Sequence, residues 1–312
     1  MKKILVSIVI PTRNRQEFLK EAIDSVLSQT YKHIELIITD DNSTDNTKDF
    51  VKNYLRNKNI DYKFVINKKY KNGPNGNKNN GLDYCTGELI GILDDDDKLF
   101  PSTIEQLVTV YLKTKSKQII TNSIRSDNGK LAGNVNFRGH YLTYKDVLCE
   151  RADGQFWGIG HKDFLGKTRF NDKQWGGEAT TWWGFYKLEP AYYYPKITHW
   201  YRIHTGSVCF KLENIDRRIL NYVNLLKLYG TDLIKYNARR FAKLNYSVSL
   251  LYAIEKDYKN AHKYYNESKK YVGFNVTNSI KFLICLYVPR KWFPKLFNIK
   301  EKIIFNLKKI FI

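Results

Sequence analysis

Along the first hundred residues, short apolar runs rich in β-branched side chains recur at intervals, and each stops abruptly at a proline or at aspartates. Ile4 to Ile10 ends at Pro11, and Ile34 to Thr39 ends at Asp40 and Asp41. Runs this short and this continuously apolar read as strands buried on both faces, the habit of parallel sheets. Between them, Gln16 to Gln29 sets Phe18, Ala22, Val26 and Leu27 on one helical face. The alternation continues with Thr44 to Leu55 as helix, Tyr62 to Ile66 as strand, Asn77 to Cys85 as a short helix and Glu88 to Leu93 as strand. Helices between parallel strands predict an α/β, Rossmann-like doubly wound mixed sheet whose ligand crevice lies beyond the carboxyl ends of the strands. The polar residues that follow each strand are therefore the ones expected to carry chemistry.

Beyond Leu131 the sequence is less regular and rich in glycine and aromatics through Tyr201 to His204, which reads as mixed α/β carrying a second half-site. From Asn221 onward the pattern is helical, and Leu250 to Ala261 has the look of a helical hairpin turn. These shifts predict a domain over residues 1–212 and a basic helical region over 213–312. Of the chain's net +21, most sits in the second part, where 20 Lys and Arg face seven Asp and Glu. After Lys270 only Glu301 opposes eight basic residues, which suggests a polyanionic neighbour, either nucleic acid or an anionic membrane surface. An AT-rich codon bias toward lysine accounts for part of the excess. Ile299, Ile303, Leu307 and Ile310 share one face of a terminal segment ringed by Lys300, Lys302, Lys308 and Lys309, the composition of an interfacial helix. The longest apolar run, Phe282 to Val288, falls far short of the roughly 20 residues of a membrane span. Four scattered cysteines without a CxxC pair, and no secretory signal ahead of Ile4, fit a reduced cytoplasmic compartment.

The strongest chemical signal is Asp94-Asp95-Asp96-Asp97 directly after a strand. Adjacent carboxylates repel, and the cluster becomes favourable when a hard divalent cation shares its oxygens with a substrate phosphate. A solvated acidic turn is the plainer alternative. A second acidic turn runs from Asp40 to Thr47; as a calcium loop it fails, because Asn46 stands where glycine is needed and Lys52 where the bidentate glutamate belongs. A strand-end carboxylate there can accept the imide N–H of uracil, while Thr44 or Asp45 caps the next helix. Pro11 to Arg15 fills the first crevice position, and Gly73 to Gly81 is a glycine and asparagine turn suited to a close-lying ribose or phosphate, or to nothing more than a loop. The remaining histidines, His33, His140, His161, His199 and His262, have no zinc-site spacing.

Taken in order, Ser7 to Arg15, the DDxSxDxT turn Asp40 to Thr47, Asn79-Asn80-Gly81, the Asp94 to Asp97 cluster and Tyr201 to His204 resemble glycosyltransferase family 2, inverting nucleotide-sugar enzymes of the GT-A fold. The resemblance spans Ile4 to Ser207, and Gly73 to Asp97 is especially similar to bacterial glucosyltransferases that add a branch glucose to lipid-linked N-glycan precursors. It implies Pro11, Thr12 and Arg13 beside the nucleoside, Asp41 at the uracil, Asp40, Lys78 and Asn79 on the nucleotide-sugar, and Asp94-Asp95-Asp96 as the DxD element. Asp95 then lies near the ribose, and Asp96, with Asp94 and His204, holds Mn²⁺ or Mg²⁺. Two departures stand out: Lys78 replaces a frequent arginine, and Gly177-Glu178-Ala179 keeps one carboxylate where a Glu-Asp pair is common. Inversion requires a base for the acceptor hydroxyl, and Glu178 is the candidate; a glutamate favoured by the helix dipole is the structural alternative. Trp175, Trp182 and Trp183 are candidates to stack on the acceptor sugar, or to pack in the core.

The implied activity is metal-dependent transfer of a hexose, glucose from UDP-glucose, onto a polyprenyl-diphosphate-linked saccharide by a peripheral protein at the cytoplasmic face of the inner membrane, with no nucleic acid expected. The rivals are a transferase using another UDP-sugar in capsule or lipopolysaccharide synthesis, a nucleic-acid binder motivated by charge alone, and a lectin-like relic. The intact Asp96 and Glu178 argue against the last.

Overall fold

A computed structural model describes residues 3–137, 139–204, 215–273 and 276–288 of the chain. It divides into two compact units, Met1–Phe210 and Lys211–Ile312. The first unit opens with β1 (Val6–Thr12), α1 (Gln16–Leu27), β2 (Ile34–Asp40), α2 (Thr47–Leu55), β3 (Asp61–Ile66), α3 (Pro74–Leu82) and β4 (Leu89–Ile92). It continues with β5 (Lys98–Leu99), α4 (Thr103–Thr114), β6 (Gln118–Arg125), β7 (Gly133–Val135), β8 (Tyr141–Leu142), α5 (Tyr144–Leu148) and β9 (Ala152–Gly154). β10 (Phe156–His161), α6 (Lys162–Leu165), α7 (Ala179–Leu188) and β11 (Ala191–Tyr201) complete it.

β3, β2, β1 and β4 pair in parallel. β10 lies antiparallel between β4 and β6, and β11 runs parallel to β6 with β5 and β8 antiparallel against it. The chain builds outward from β1 to β3 and then returns to β4 on the other side of β1. That reversal opens a crevice between β1 and β4 at their carboxyl ends. β7 and β9 form a separate ribbon.

All seven residues of β1 and of β2 are buried, as strands covered on both faces require. Val6, Ile8 and Ile10 pack with Leu19, Ala22, Ile23 and Val26 of α1 and with α4, while Val9, Ile37 and Ile90 face Leu82, Phe164 and Phe185. The buried face of α1 is thus turned from the expected one, and Phe18 is left half-buried beside the crevice. Pro11 does not end its strand. Leu93 N–H bonds Val9 C=O where the β4 ladder stops, and Asp41 N–H bonds Thr12 C=O on the β2 side. Residues two apart point to the same side, so the missing Pro11 N–H faces the side where no ladder remains. α2 starts at Thr47, three residues later than expected, because Asp45 accepts the Thr47 N–H at 3.1 Å. α3 starts earlier, at Pro74, whose fixed φ suits a first helical position.

In the second unit α8 (Ile215–Ile254) breaks at Asn237 (φ −156°, ψ 70°), whose Oδ1 accepts the Arg240 N–H at 3.1 Å and caps the second half. α9 (Tyr258–Val272) follows a turn at Lys256 (φ 64°), and Asp257 caps it through Asn260 N–H at 3.0 Å. α10 (Val276–Tyr287) packs Phe282, Cys285 and Leu286 against Tyr246, Leu250 and Ala261. Lys256 Nζ closes its end on the carbonyls of Cys285, Leu286 and Val288. The other face of α10 exposes Ile280, Leu283, Ile284 and Tyr287, spaced at three- and four-residue intervals. Among the described residues no helix is long and apolar enough to cross a membrane. Trp292, Phe293, Phe297 and the amphipathic segment Ile299 to Ile312 lie outside the described residues.

Candidate active site

The loops after β1 and β2 are tied to each other before any ligand is considered. Asn14 adopts φ 52°, donates its N–H to Ser43 Oγ at 2.9 Å and accepts Thr44 N–H at 2.7 Å. An asparagine tolerates this left-handed turn, which lets the chain leave β1 across the end of β2. Asp41 accepts Asn67 Nδ2 at 2.9 Å and Gly73 N–H at 2.7 Å, with Arg13 Nη1 3.6 Å away, so its carboxylate organises the loop ahead of α3. Asp40 Oδ1 accepts Ser43 N–H at 2.7 Å, whereas its buried Oδ2 has no partner. A buried acceptor left unmatched is costly unless something else fills it.

The four aspartates after β4 have four different environments. Asp94 remains 51% exposed, with Oδ1 3.0 Å from Lys78 Nζ. Burial works against its charge, but Lys78 more than offsets this and holds it below the usual carboxylate range. Asp95 is buried; Thr12 Oγ1 donates to it at 2.8 Å and Arg15 Nη1 at 3.0 Å. Burial, with Asp96 adjacent, pushes it up to about 7 despite those donors. Asp96 Oδ2 lies 3.0 Å from both Arg15 Nη1 and His204 Nε2. Asp97 accepts Arg202 N–H at 2.9 Å and sits 3.1 Å from His199 Nε2, whose Nδ1 pairs with Ser123 Oγ at 2.9 Å. Arg202 also donates from Nε to Asp96 C=O at 2.7 Å and from Nη2 to Glu21 at 2.8 Å, with its guanidinium over Phe18 and Trp200. Through Asp97 and Arg202 the end of β11 is fastened to the aspartate turn, which brings His204 to Asp96 from 108 residues away.

α3 is locked in place by its asparagines. Asn77 donates to Thr12 C=O (3.1 Å) and Thr39 C=O (2.9 Å), and Asn80 donates to Thr39 Oγ1 at 2.9 Å. Gly81 is required here, since a Cβ would lie 2.4 Å from Val9 Cγ1. Asn79 exchanges both amide groups with the backbone of Phe170, at 2.8 Å each way, and Asn75 donates to Asn171 C=O and Gly176 C=O at 3.0 Å. Asn79 thus clamps the 170–176 segment: it is 1% exposed, and one N–H and the Oδ1 of its amide bond the Phe170 backbone.

That segment leads through Gly176 and Gly177, with φ of 73° and 68°, to Glu178 at the start of α7. Glu178 makes no side-chain capping bond there; its Oε1 accepts Lys78 Nζ at 2.6 Å. Lys78 thus spans Asp94 and Glu178 from within the protein, its side chain 9% exposed. Burial disfavours its charge, but the two carboxylates win and hold it above the usual lysine range. Trp175 lies over Gly73, where a Cβ would meet its ring at 3.1 Å. Of the other two tryptophans, Trp183 is 7% exposed, and Trp182, half-buried, meets Phe170 edge-to-face and Phe185 at a tilt.

Arg15, Asn14 and Asp97 carry much of this geometry, although the sequence marked them only as members of the Pro11 to Arg15 and Asp94 to Asp97 segments and gave them no individual role. Among the described residues no three His, Cys, Asp or Glu side chains converge on a point that would hold a metal ion by themselves. What the turn offers is the carboxylates of Asp94 and Asp96, with His204 Nε2 3.0 Å from the second, donor types that suit a hard divalent cation whose remaining ligands come from substrate phosphates.

The family model Glycosyl transferase family 2 matches residues 7–166. The chain is 33% identical over 305 residues, 95% of its own length and 97% of the relative's, to the GalNAc(5)-diNAcBac-PP-undecaprenol beta-1,3-glucosyltransferase of Campylobacter jejuni. It is 27% identical over 78% of its length to the Escherichia coli UDP-Glc:alpha-D-GlcNAc-diphosphoundecaprenol beta-1,3-glucosyltransferase WfaP, of which 93% is covered. Its fold matches that of Staphylococcus aureus TarS 1-349 in complex with UDP-GlcNAc, with a TM-score of 0.62 over 86% of this chain and 92% of that one at 16% identity. The mannosyltransferase PcManGT of Pyrobaculum calidifontis, in complex with GDP-Man and Mn2+, gives a TM-score of 0.56 over 95% of this chain and 84% of that one at 14% identity.

Proposed function

The chain belongs to glycosyltransferase family 2 and has its GT-A arrangement, and on that footing we propose that it transfers glucose from UDP-glucose, with inversion, to a hydroxyl of a polyprenyl-diphosphate-linked saccharide. The observation that carries this reading is the meeting, across Lys78, of a strand-end aspartate turn with the helix-start carboxylate Glu178. The acceptor oxygen attacks the anomeric carbon as the bond from that carbon to the diphosphate oxygen breaks; UDP departs, and the hydroxyl proton passes to Glu178. Thr12, Arg13 and the buried Pro11 border the nucleoside site, with Asp41 at the uracil, Asp40 on the nucleotide-sugar and Asp95 at the ribose. Asp96, supported by Asp94 and His204, would hold Mn²⁺ or Mg²⁺, which when bound neutralises charge on the leaving diphosphate. Trp175, half-buried beside Gly73, is the first candidate among the tryptophans for the acceptor side, with the half-buried Trp182 after it.

The relatives named above act on undecaprenyl-diphosphate-linked sugars, which favours a peripheral position at the cytoplasmic membrane face. The apolar stripe of α10 and the basic excess of 213–312 support it. Replacing Leu283 and Ile284 with serine should reduce sedimentation with phosphatidylglycerol vesicles at moderate salt; equal sedimentation of both proteins would count against α10.

The test of the activity is a panel of UDP-sugars with Mn²⁺, Mg²⁺ or chelator, read by thermal shift and by release of UDP. UDP-glucose should stabilise the protein most, and only with metal. Preference for another donor would move the reading to a different hexosyltransferase, and indifference to all donors would remove it. E178Q should keep donor-induced stabilisation while losing transfer.

A further inference from the structure

We infer that Lys78 is the positioning residue of the proposed base, its ammonium fixing Glu178 through Oε1 and tying it to Asp94 of the donor-side turn. The inference rests on the reading of Glu178 as base. Three independent features support it. Glu178 follows two glycines in left-handed conformation and makes no capping bond to α7, so the helix start does not orient its carboxylate. The described contact that does orient it is Lys78 at 2.6 Å.

Lys78 in turn stands on a helix pinned on both sides. Asn77 and Asn80 bind the ends of β1 and β2, while Asn75 and Asn79 bind the very segment that runs into Glu178. Backbone and side-chain links therefore fix the same distance between α3 and the start of α7. Finally, a buried ammonium between two carboxylates is held by charge from both sides, and a flexible lysine becomes a fixed strut. With Oε1 engaged, Oε2 is the oxygen left for an acceptor hydroxyl.

The experiment uses the full chain, UDP-glucose and undecaprenyl-diphosphate-linked N-acetylglucosamine. K78M should lower kcat about 100-fold or more, the low end of a general base's contribution, while donor KM changes less than about threefold. K78R should recover at least about tenfold over K78M, since a cation returns. In the E178Q background, K78M should cause no further loss beyond about threefold, because a residue acting through Glu178 has nothing left to position. Should K78M melt far below the parent, K78Q and K78R carry the same comparison. A rise in donor KM with kcat retained would overturn the inference in favour of donor binding, and multiplicative losses in the double variant would overturn it as well. Near-native turnover of E178Q alone would instead remove the base reading, and is seen before Lys78 is touched.

Discussion

Glu35 gives the sharpest test of the physical reasoning, because it is buried at the foot of β2, 2% exposed, and does no chemistry. Its carboxylate accepts Ser7 Oγ at 2.5 Å, Thr86 N–H at 2.6 Å, Gly87 N–H at 3.0 Å and Lys63 Nζ at 3.1 Å. It thereby joins β1, β2 and β3 to the turn before β4. Glu35→Ala removes all four acceptances. Lys63 is 38% exposed and can turn to water, and Gly87 N–H keeps Ser7 Oγ at 2.9 Å. The buried Ser7 hydroxyl loses its acceptor, at about 1–3 kcal/mol, whereas Thr86 is exposed and its N–H can turn to water. The loss of Glu35 packing adds to this, so the variant should be about 2–4 kcal/mol less stable, a fall of roughly 4–16 °C in Tm for a unit of this size. Burial raises the Glu35 pKa, but Ser7, Thr86 and Lys63 more than reverse it and hold the group below its ordinary value of 4.5. Its contribution is therefore complete above that value and is lost as pH falls through the lower folded value. Urea unfolding of parent and variant from pH 7 down to pH 3 reads both effects. A loss under about 1 kcal/mol at pH 7, or a difference that does not shrink on acidification, would refute the argument.

D96A should abolish metal-dependent release of UDP from UDP-glucose, by about 1,000-fold if it removes transition-state charge stabilisation; turnover that survives with metal present would refute its assignment, as measured by UDP production with Mn²⁺ and with chelator. N79A should cost about 2–4 kcal/mol by leaving the Phe170 backbone unpaired, and should leave UDP affinity within about threefold in a titration by calorimetry. A large loss of UDP affinity with unchanged stability would return Asn79 to the nucleotide site.

The strands β1, β2 and β4 were legible because nearly all their residues are buried, so apolar continuity alone marks them, while the edge strand β3, only half-buried, was legible from the alternation of its neighbours. The aspartate turn was legible for the opposite reason: four like charges in a row are unfavourable without a partner. α3 was only half legible, since Gly73 to Gly81 has the composition of a loop and becomes a helix through its asparagine bonds to Thr39, Phe170 and Gly176. The turned face of α1 was missed because Phe18 and Leu19 are equally apolar; it is Arg202 that draws Phe18 to the crevice edge.

The amino-acid sequence by itself determined that this chain would form an α/β sheet with acidic strand ends and a basic helical second part, since periodicity and charge are local properties. Only the tertiary structure decided which of those polar residues meet. His204 reaches Asp96, and Lys78 reaches both Asp94 and Glu178, 100 residues further on. Asn79 and Trp183, equally plausible as letters, are turned inward, Asn79 onto the Phe170 backbone and Trp183 to 7% exposure. Partners that distant leave no trace in spacing, because the crossing of β11 and the clamp on the 170–176 segment, not the chain between them, set the distance.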